Sequence, residues 1–101
     1  MFIAQVRGNV VATQKVGKID GRKLLLVEPF VLEESPSTQL KRTGRALVAI
    51  DTVGAGDGEY VLVTQGSSAR QTDMTHDMPI DAVIIGIIDK VNVGSQAIYV
   101  K

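Results

Sequence analysis

A glycine-rich stretch, residues 53–71, places the tightest constraint on what this chain can fold into. Its first part alternates glycine with small or acidic residues, in the order Val53, Gly54, Ala55, Gly56, Asp57 and Gly58. This pattern suits a backbone that adopts positive φ angles or passes close to another backbone. The sequence therefore predicts a tight turn here, and we expect another part of the protein to pack against it.

A strand and a corner of small residues follow this turn. Residues 60–64 are apolar and β-branched, which is typical of a short buried strand. Gly66 ends the strand, and Ser67 and Ser68 can cap a single helical turn at residues 69–71. We expect a second subunit to pack against the turn and this corner.

Length and charge exclude several classes of protein. The 101 residues suffice for one domain, residues 1–101, and the 11 basic and 11 acidic residues give no net charge. The electrostatic field that attracts nucleic acid or an anionic membrane is therefore absent. The chain has no cysteine, which rules out disulfides and thiolate metal sites. The longest apolar run, residues 82–88, is too short to cross a bilayer, so we expect a soluble protein that is not secreted.

The hydrophobic content is high for so small a domain. Hydrophobic residues make up 45% of the chain, and the mean hydropathy is +0.16. A domain of this size keeps a large share of its surface in water, so burial between subunits would explain the excess. A β core rich in valine and isoleucine would explain it equally well.

Short segments with strand character occupy most of the remaining chain. Alternation predicts a half-buried strand over residues 2–13, with one apolar face made of Phe2, Ala4, Val6, Val10 and Ala12. The other predicted strands are residues 24–27, 46–51, 60–64, 81–91 and a last short one at 96–100.

Other residues mark breaks and bends in these strands. Pro29 marks the edge or end of the second strand, and residues 33–44 read as a polar loop. Gly8 and Gly86 interrupt strands where a small barrel needs a bend or bulge. The sequence therefore predicts an all-β fold, a small five-stranded OB-like barrel with one short helical turn.

The sequence motifs that could indicate catalysis or the binding of a cofactor or metal are weak. The glycines at 54, 56 and 58 precede a strand instead of a helix, which excludes a dinucleotide loop. Asp73, His76 and Asp77 could bind a metal, but a solvated loop is favoured because no second imidazole or thiolate is present. Ser67 and Ser68 lack the context of a catalytic serine. We expect no catalytic residues, cofactor or metal site, and a small hydrolase or metal enzyme is the least favoured of the alternatives.

Binding of single-stranded nucleic acid is the main alternative for an OB-type barrel, because such barrels use a basic groove and stacked aromatic residues. The chain has four aromatic residues, and we expect Phe2 and Tyr60 to face inward. The zero net charge also argues against it, although Lys41, Arg42 and Arg45 could form a local basic patch.

The chain resembles the bacterial microcompartment vertex proteins of the EutN/CcmL family over nearly its whole length. Three segments carry the resemblance: residues 3–15, residues 53–59 continuing to 66–70, and residues 81–89. The resemblance implies a cyclic homopentamer that caps the five-fold vertices of a polyhedral shell in the cytoplasm, beside hexameric and trimeric shell proteins. It implies no enzymatic activity. From the net charge and the short apolar runs we expect no partnership with nucleic acid or membrane.

The predicted subunit interface combines the glycine turn and the small-residue corner. Glycine and serine corners permit close approach between subunits, and a ring needs two different patches on each copy. We expect Arg70 to donate hydrogen bonds to carbonyls or a carboxylate of the neighbouring subunit. The predicted interface residues are Val53, Gly54, Ala55, Gly56, Gly58, Gly66, Ser67, Ser68, Ala69 and Arg70.

Overall fold

The computed structural model describes residues 1–12, 23–66 and 81–101, and the regular elements within these ranges are eight strands. In chain order they are β1 (Phe2–Val10), β2 (Leu24–Glu33), β3 (Gln39–Arg42), β4 (Leu47–Asp51), β5 (Tyr60–Gln65), β6 (Ala82–Ile87), β7 (Lys90–Val93) and β8 (Gln96–Val100). The helical turn predicted at residues 69–71 lies outside the described residues.

Five of these strands close into a barrel. The order around it is β1, β5, β6, β4 and β2, and β2 pairs with β1 to complete the circle. The β4–β6 pair is parallel, and the other four pairs are antiparallel. This arrangement confirms the predicted OB-like barrel.

Alternate side chains of the barrel strands fill its interior. Alternation in a strand sends every second side chain to the same face, so each strand supplies only one or two core residues. The cluster is made of Ala4, Val6, Leu25, Val27, Ala49, Ala55, Val61, Val63, Ala82 and Ile84, with Phe2, Leu47 and Ile87 packed against it. The core therefore consists mainly of small and β-branched side chains.

Two β-bulges lie at the predicted glycine bends. The β1–β2 register shifts between Val6 and Gly8, and the β5–β6 register shifts where Gly86 on β6 faces Leu62. The first shift reverses which way the end of β1 faces. Val10 pairs with Leu24, on the outer face, so the prediction that Val10 shares a face with Val6 is wrong.

The structure corrects several of the predicted strands, the first of which ends at Val10 instead of residue 13. β2 continues through Pro29 to Glu33, and the predicted polar loop at 33–44 contains β3. Pro29 lies between the ladder that β2 forms with β4 and the one it forms with β3, a place where a strand tolerates proline. The predicted strand at 81–91 is two strands, β6 and β7, separated at Ile88 and Asp89.

The β7–β8 hairpin forms a second, two-stranded sheet beside the barrel. An aromatic stack attaches it: the ring centroids of Tyr99 and Tyr60 are 4.0 Å apart, and those of Tyr60 and Phe30 are 5.1 Å apart. Tyr60 precedes the inward-facing Val61, so alternation places it on the outer face of the barrel. The prediction that Tyr60 faces inward is therefore wrong, whereas Phe2 does pack against the core.

Candidate subunit interface

Asp51, the last residue of β4, holds the start of the glycine turn. Its Oδ1 accepts hydrogen bonds from the amides of Val53 and Gly54 at 3.0 and 3.1 Å, and its Oδ2 accepts one from the amide of Ala55 at 3.0 Å. Gly54 has a φ of 79°, a conformation that residues with a Cβ rarely adopt. One carboxylate thus fixes three successive amides, and the turn is an ordered part of the fold.

Ala55 anchors the turn in the barrel. Its side chain is only 1% exposed and belongs to the core cluster. Lys23, just before β2, donates from Nζ to the Ala55 carbonyl at 3.4 Å. The turn is therefore packed against the barrel core, and the side chain of Ala55 is buried within its own chain.

The end of the turn is joined to β1 by backbone hydrogen bonds. The amide of Gly58 donates to the carbonyl of Val6, and the amide of Val6 donates to the carbonyl of Glu59, both at 2.9 Å. The side-chain amide of Gln5 donates to the Gly58 carbonyl at 3.1 Å. Gly58 has a φ of 82°, so glycine is required at this position too.

Glu59 links the turn to the end of the described chain. Its Oε1 accepts from the amide of Gly56 at 2.7 Å, and its Oε2 lies 2.7 Å from the Nζ of Lys101. The hydrogen bond from Lys101, followed by that from the Gly56 amide, lowers the pKa of Glu59 below its usual 4.5. The hydrogen bond to Glu59 raises the pKa of Lys101 above its usual 10.5.

The turn presents mainly backbone and one apolar side chain to the outside. Gly54, Asp57 and Gly58 are exposed, and Val53 is 39% exposed. Gly56 is half-buried, because Glu59 lies against it. This is a surface on which another polypeptide could pack closely.

Gly66 lies at the other end of β5 from the turn. It has a φ of 70°, and its amide donates to the carbonyl of Asp81 at 2.8 Å. A strand rises about 3.3 Å per residue, so Tyr60 and Gly66 are about 20 Å apart. The structure thus separates the predicted interface residues into two places, whereas Ser67, Ser68, Ala69 and Arg70 lie outside the described residues.

Asp51, Glu59 and Lys101 were absent from the predicted site. An aspartate followed within three residues by a glycine is a common turn signal, so Asp51 could have been recognised from the sequence. The pairing of Glu59 with Lys101 could not, because 42 residues separate them and neither belongs to a motif.

The described residues give little support to a metal site, a nucleic-acid-binding surface or a membrane-spanning helix. Among them there is no group of three His, Cys, Asp or Glu side chains placed to hold a metal, and Asp73, His76 and Asp77 lie outside them. Phe30, Tyr60 and Tyr99 stack on one another instead of forming an open platform for bases. The part of the chain that the structure describes also contains no helix long and apolar enough to span a membrane.

Comparison with known proteins gives a consistent result. Residues 1–89 match the family described as ethanolamine utilisation protein EutN/carboxysome. The carboxysome shell vertex protein CcmL of Synechocystis is 44% identical over 101 residues, covering all of this chain and 95% of that protein. The microcompartment shell vertex protein EutN of Escherichia coli is 41% identical over 101 residues, covering the full length of both.

A solved structure adds information on assembly. The chain is similar to the GrpN pentameric microcompartment shell protein of Rhodospirillum rubrum, with a TM-score of 0.73 and 42% identity. The similarity covers 92% of this chain and 98% of that one.

Proposed function

The chain belongs to the EutN/CcmL family of microcompartment shell vertex proteins, and from that premise we propose that five copies form a ring that closes a five-fold vertex of a shell. The observation that carries this proposal is the similarity to a pentameric shell protein over 92% of the chain. The family is one of structural shell proteins, so the role is structural and not enzymatic.

The ring contact joins two different patches of neighbouring copies. A cyclic assembly of this kind needs a head and a tail patch on each subunit. The turn at residues 53–58 and the corner that begins at Gly66 lie at opposite ends of β5, which supports assigning one patch to each. The turn of one copy then packs against residues 66–70 of the next, and Arg70 donates to carbonyls or to the exposed carboxylate of Asp57.

The ring occupies the shell of a microcompartment in the cytoplasm. A vertex protein must contact the tiles that form the flat facets, and we assign this role to hexameric and trimeric shell proteins. The identities to a carboxysome protein and to an ethanolamine-utilisation protein, 44% and 41%, are nearly equal, so they favour neither kind of compartment.

Native mass spectrometry of the purified protein tests the ring. We expect a species with five times the subunit mass of 10.8 kDa. Val53→Asp should shift this species to the monomer, because it places a charge on the proposed contact. Val31→Asp is the matched control, since Val31 is also exposed, at 51%, but lies in the β2–β3 hairpin.

Two results would contradict the proposal. A wild-type protein that stays monomeric at high concentration would exclude the ring. If Val53→Asp and Val31→Asp both form the pentamer as the wild type does, the pentamer stands but the assigned contact at Val53 is excluded. Co-expression with shell tiles then tests the vertex, because closed particles should form only when this protein is present.

A further inference from the structure

We propose that the β7–β8 hairpin is a clasp that holds the turn at residues 53–58 in the shape required for ring assembly, with Glu59 and Lys101 as the positioning pair. This inference rests on the proposed ring contact at that turn. It adds a way in which the contact is controlled from a part of the chain outside the barrel.

The hairpin is structurally separate from the barrel. Within the described residues, β7 and β8 pair only with each other, and the buried core cluster contains no residue from either strand. The barrel can therefore keep its core when the hairpin is detached.

Among the residues that the structure describes, two side-chain contacts attach the hairpin near the start of β5. The ring of Tyr99 lies on the ring of Tyr60, and Lys101 Nζ lies 2.7 Å from Glu59 Oε2. The amide of Lys101 also donates to the carbonyl of Asp89 at 2.8 Å, which fixes Lys101 at the base of the hairpin. The ammonium group of Lys101 is thus held in position by the closed hairpin.

The same Glu59 carboxylate contacts the turn. While Oε2 binds Lys101, Oε1 accepts from the Gly56 amide at 2.7 Å. The side chain of Glu59 is only 24% exposed, and Gly56 packs against it. The Glu59 carboxylate therefore connects the position of the hairpin to the position of the Gly56 amide.

Loss of the ammonium group should free this carboxylate without unfolding the barrel. Glu59 then gains rotational freedom, and its bond to Gly56 is populated for less of the time. Asp51 still holds the amides of residues 53–55, and β1 still holds Gly58, so the loosening should be confined to Gly56 and Asp57. A looser turn must be ordered again on assembly, which weakens the ring.

The test compares Lys101→Met with Lys101→Arg and with Lys90→Met in full-length protein. Arginine keeps the cation, and Lys90 is an exposed lysine of the same hairpin. Ring dissociation is followed by native mass spectrometry on dilution, and hydrogen exchange is measured at the Gly56 amide and at core amides of β5.

Lys101→Met should raise the subunit concentration at which half the rings dissociate by about threefold or more. An effect of this size is what the loss of a partly exposed ion pair causes. Exchange at Gly56 should accelerate while exchange in β5 stays unchanged. Lys101→Arg and Lys90→Met should both behave like the wild type.

Three outcomes oppose the proposal, and each has a different meaning. Rings of equal strength in all four proteins would exclude the clasp and leave the proposed function intact. Faster exchange throughout β5 in Lys101→Met would show a general stabilising role instead of a local one. A wild-type protein that forms no ring would overturn the proposed function and, with it, the role of the clasp in assembly.

Discussion

The side chain of Asp51 accepts a hydrogen bond from the amide of Ala55 four residues later, and this bond connects the end of a barrel strand to a residue of the barrel core. The same carboxylate binds two more amides of the turn. The glycine turn is therefore rigid because of a residue outside it.

Asp51→Ala should lower the free energy of unfolding by about 2 kcal/mol, because three amides lose their acceptor and one of them is partly buried. Chemical denaturation at one fixed protein concentration measures this change. Glu34→Ala is the control, since Glu34 is exposed and lies outside the proposed ring contact, and the change should cost less than about 0.5 kcal/mol. Equal losses in the two variants would mean that Asp51 does not organise the turn.

Substitution by alanine should lower the stability of the protein more at Gly58 than at Gly86. Gly58→Ala should cost about 1–2 kcal/mol, because φ at this position is 82°. Gly86→Ala should change stability by less than about 1 kcal/mol, since its new Cβ would lie 3.8 Å from the Cβ of Leu62, an ordinary contact. Thermal unfolding of both variants measures the two losses of stability. A larger loss of stability for Gly86→Ala than for Gly58→Ala would contradict this prediction.

Tyr99→Leu should lower the free energy of unfolding by about 1 kcal/mol, since it removes the stack on Tyr60 and keeps an apolar side chain. Tyr99→Phe keeps an aromatic ring and should behave like the wild type. Circular dichroism in a thermal scan provides the measurement. If leucine and phenylalanine are equivalent, the stack contributes nothing beyond its apolar area.

The stabilising contribution of the contact between Glu59 and Lys101 should be lost at both low and high pH. The pKa of Glu59 is lowered in the folded protein, so its stabilising contribution is present above pH 4.5 and is lost as the pH falls through the lower, folded value. The pKa of Lys101 is raised, so its contribution is present below pH 10.5 and is lost as the pH rises through the higher, folded value.

Comparing wild type with Glu59→Gln isolates this effect from other carboxylates. The wild type should melt at a higher temperature at neutral pH, and the difference should shrink as the pH drops below 4.5. Melting temperatures across the acid range measure it. A difference that stays constant through that range would show that the charge of Glu59 is not involved.

The barrel was predictable because its strands alternate and are bounded by glycine. Ala4 and Val6 face the core as the pattern of β1 predicts, and the bulges lie where Gly8 and Gly86 suggested. The reversal at Val10 was not predictable, because a glycine marks a possible bulge without showing whether an extra residue is inserted.

The remaining differences come from contacts between distant parts of the chain. β3 contains Lys41 and Arg42, and a short charged edge strand has the composition of a loop. Tyr60 could have been placed outside by strict alternation with Val61, but only the structure shows Tyr99 covering it. The glycine turn and the small-residue corner of the predicted interface can both be recognised in the sequence, but the structure is needed to show that β5 separates them.

That separation has a geometric consequence for the ring. In a ring built as proposed, the relative orientation of the two patches at the ends of β5 sets the angle by which each copy is turned from the last, which must equal one fifth of a full circle for closure. Two residues inserted into β5 would keep every side chain on its own face, since the strand repeats every two residues. The same insertion would move one patch away from the other and, because strands twist, would also rotate it, so the assembly would close with another number of copies or remain an open spiral.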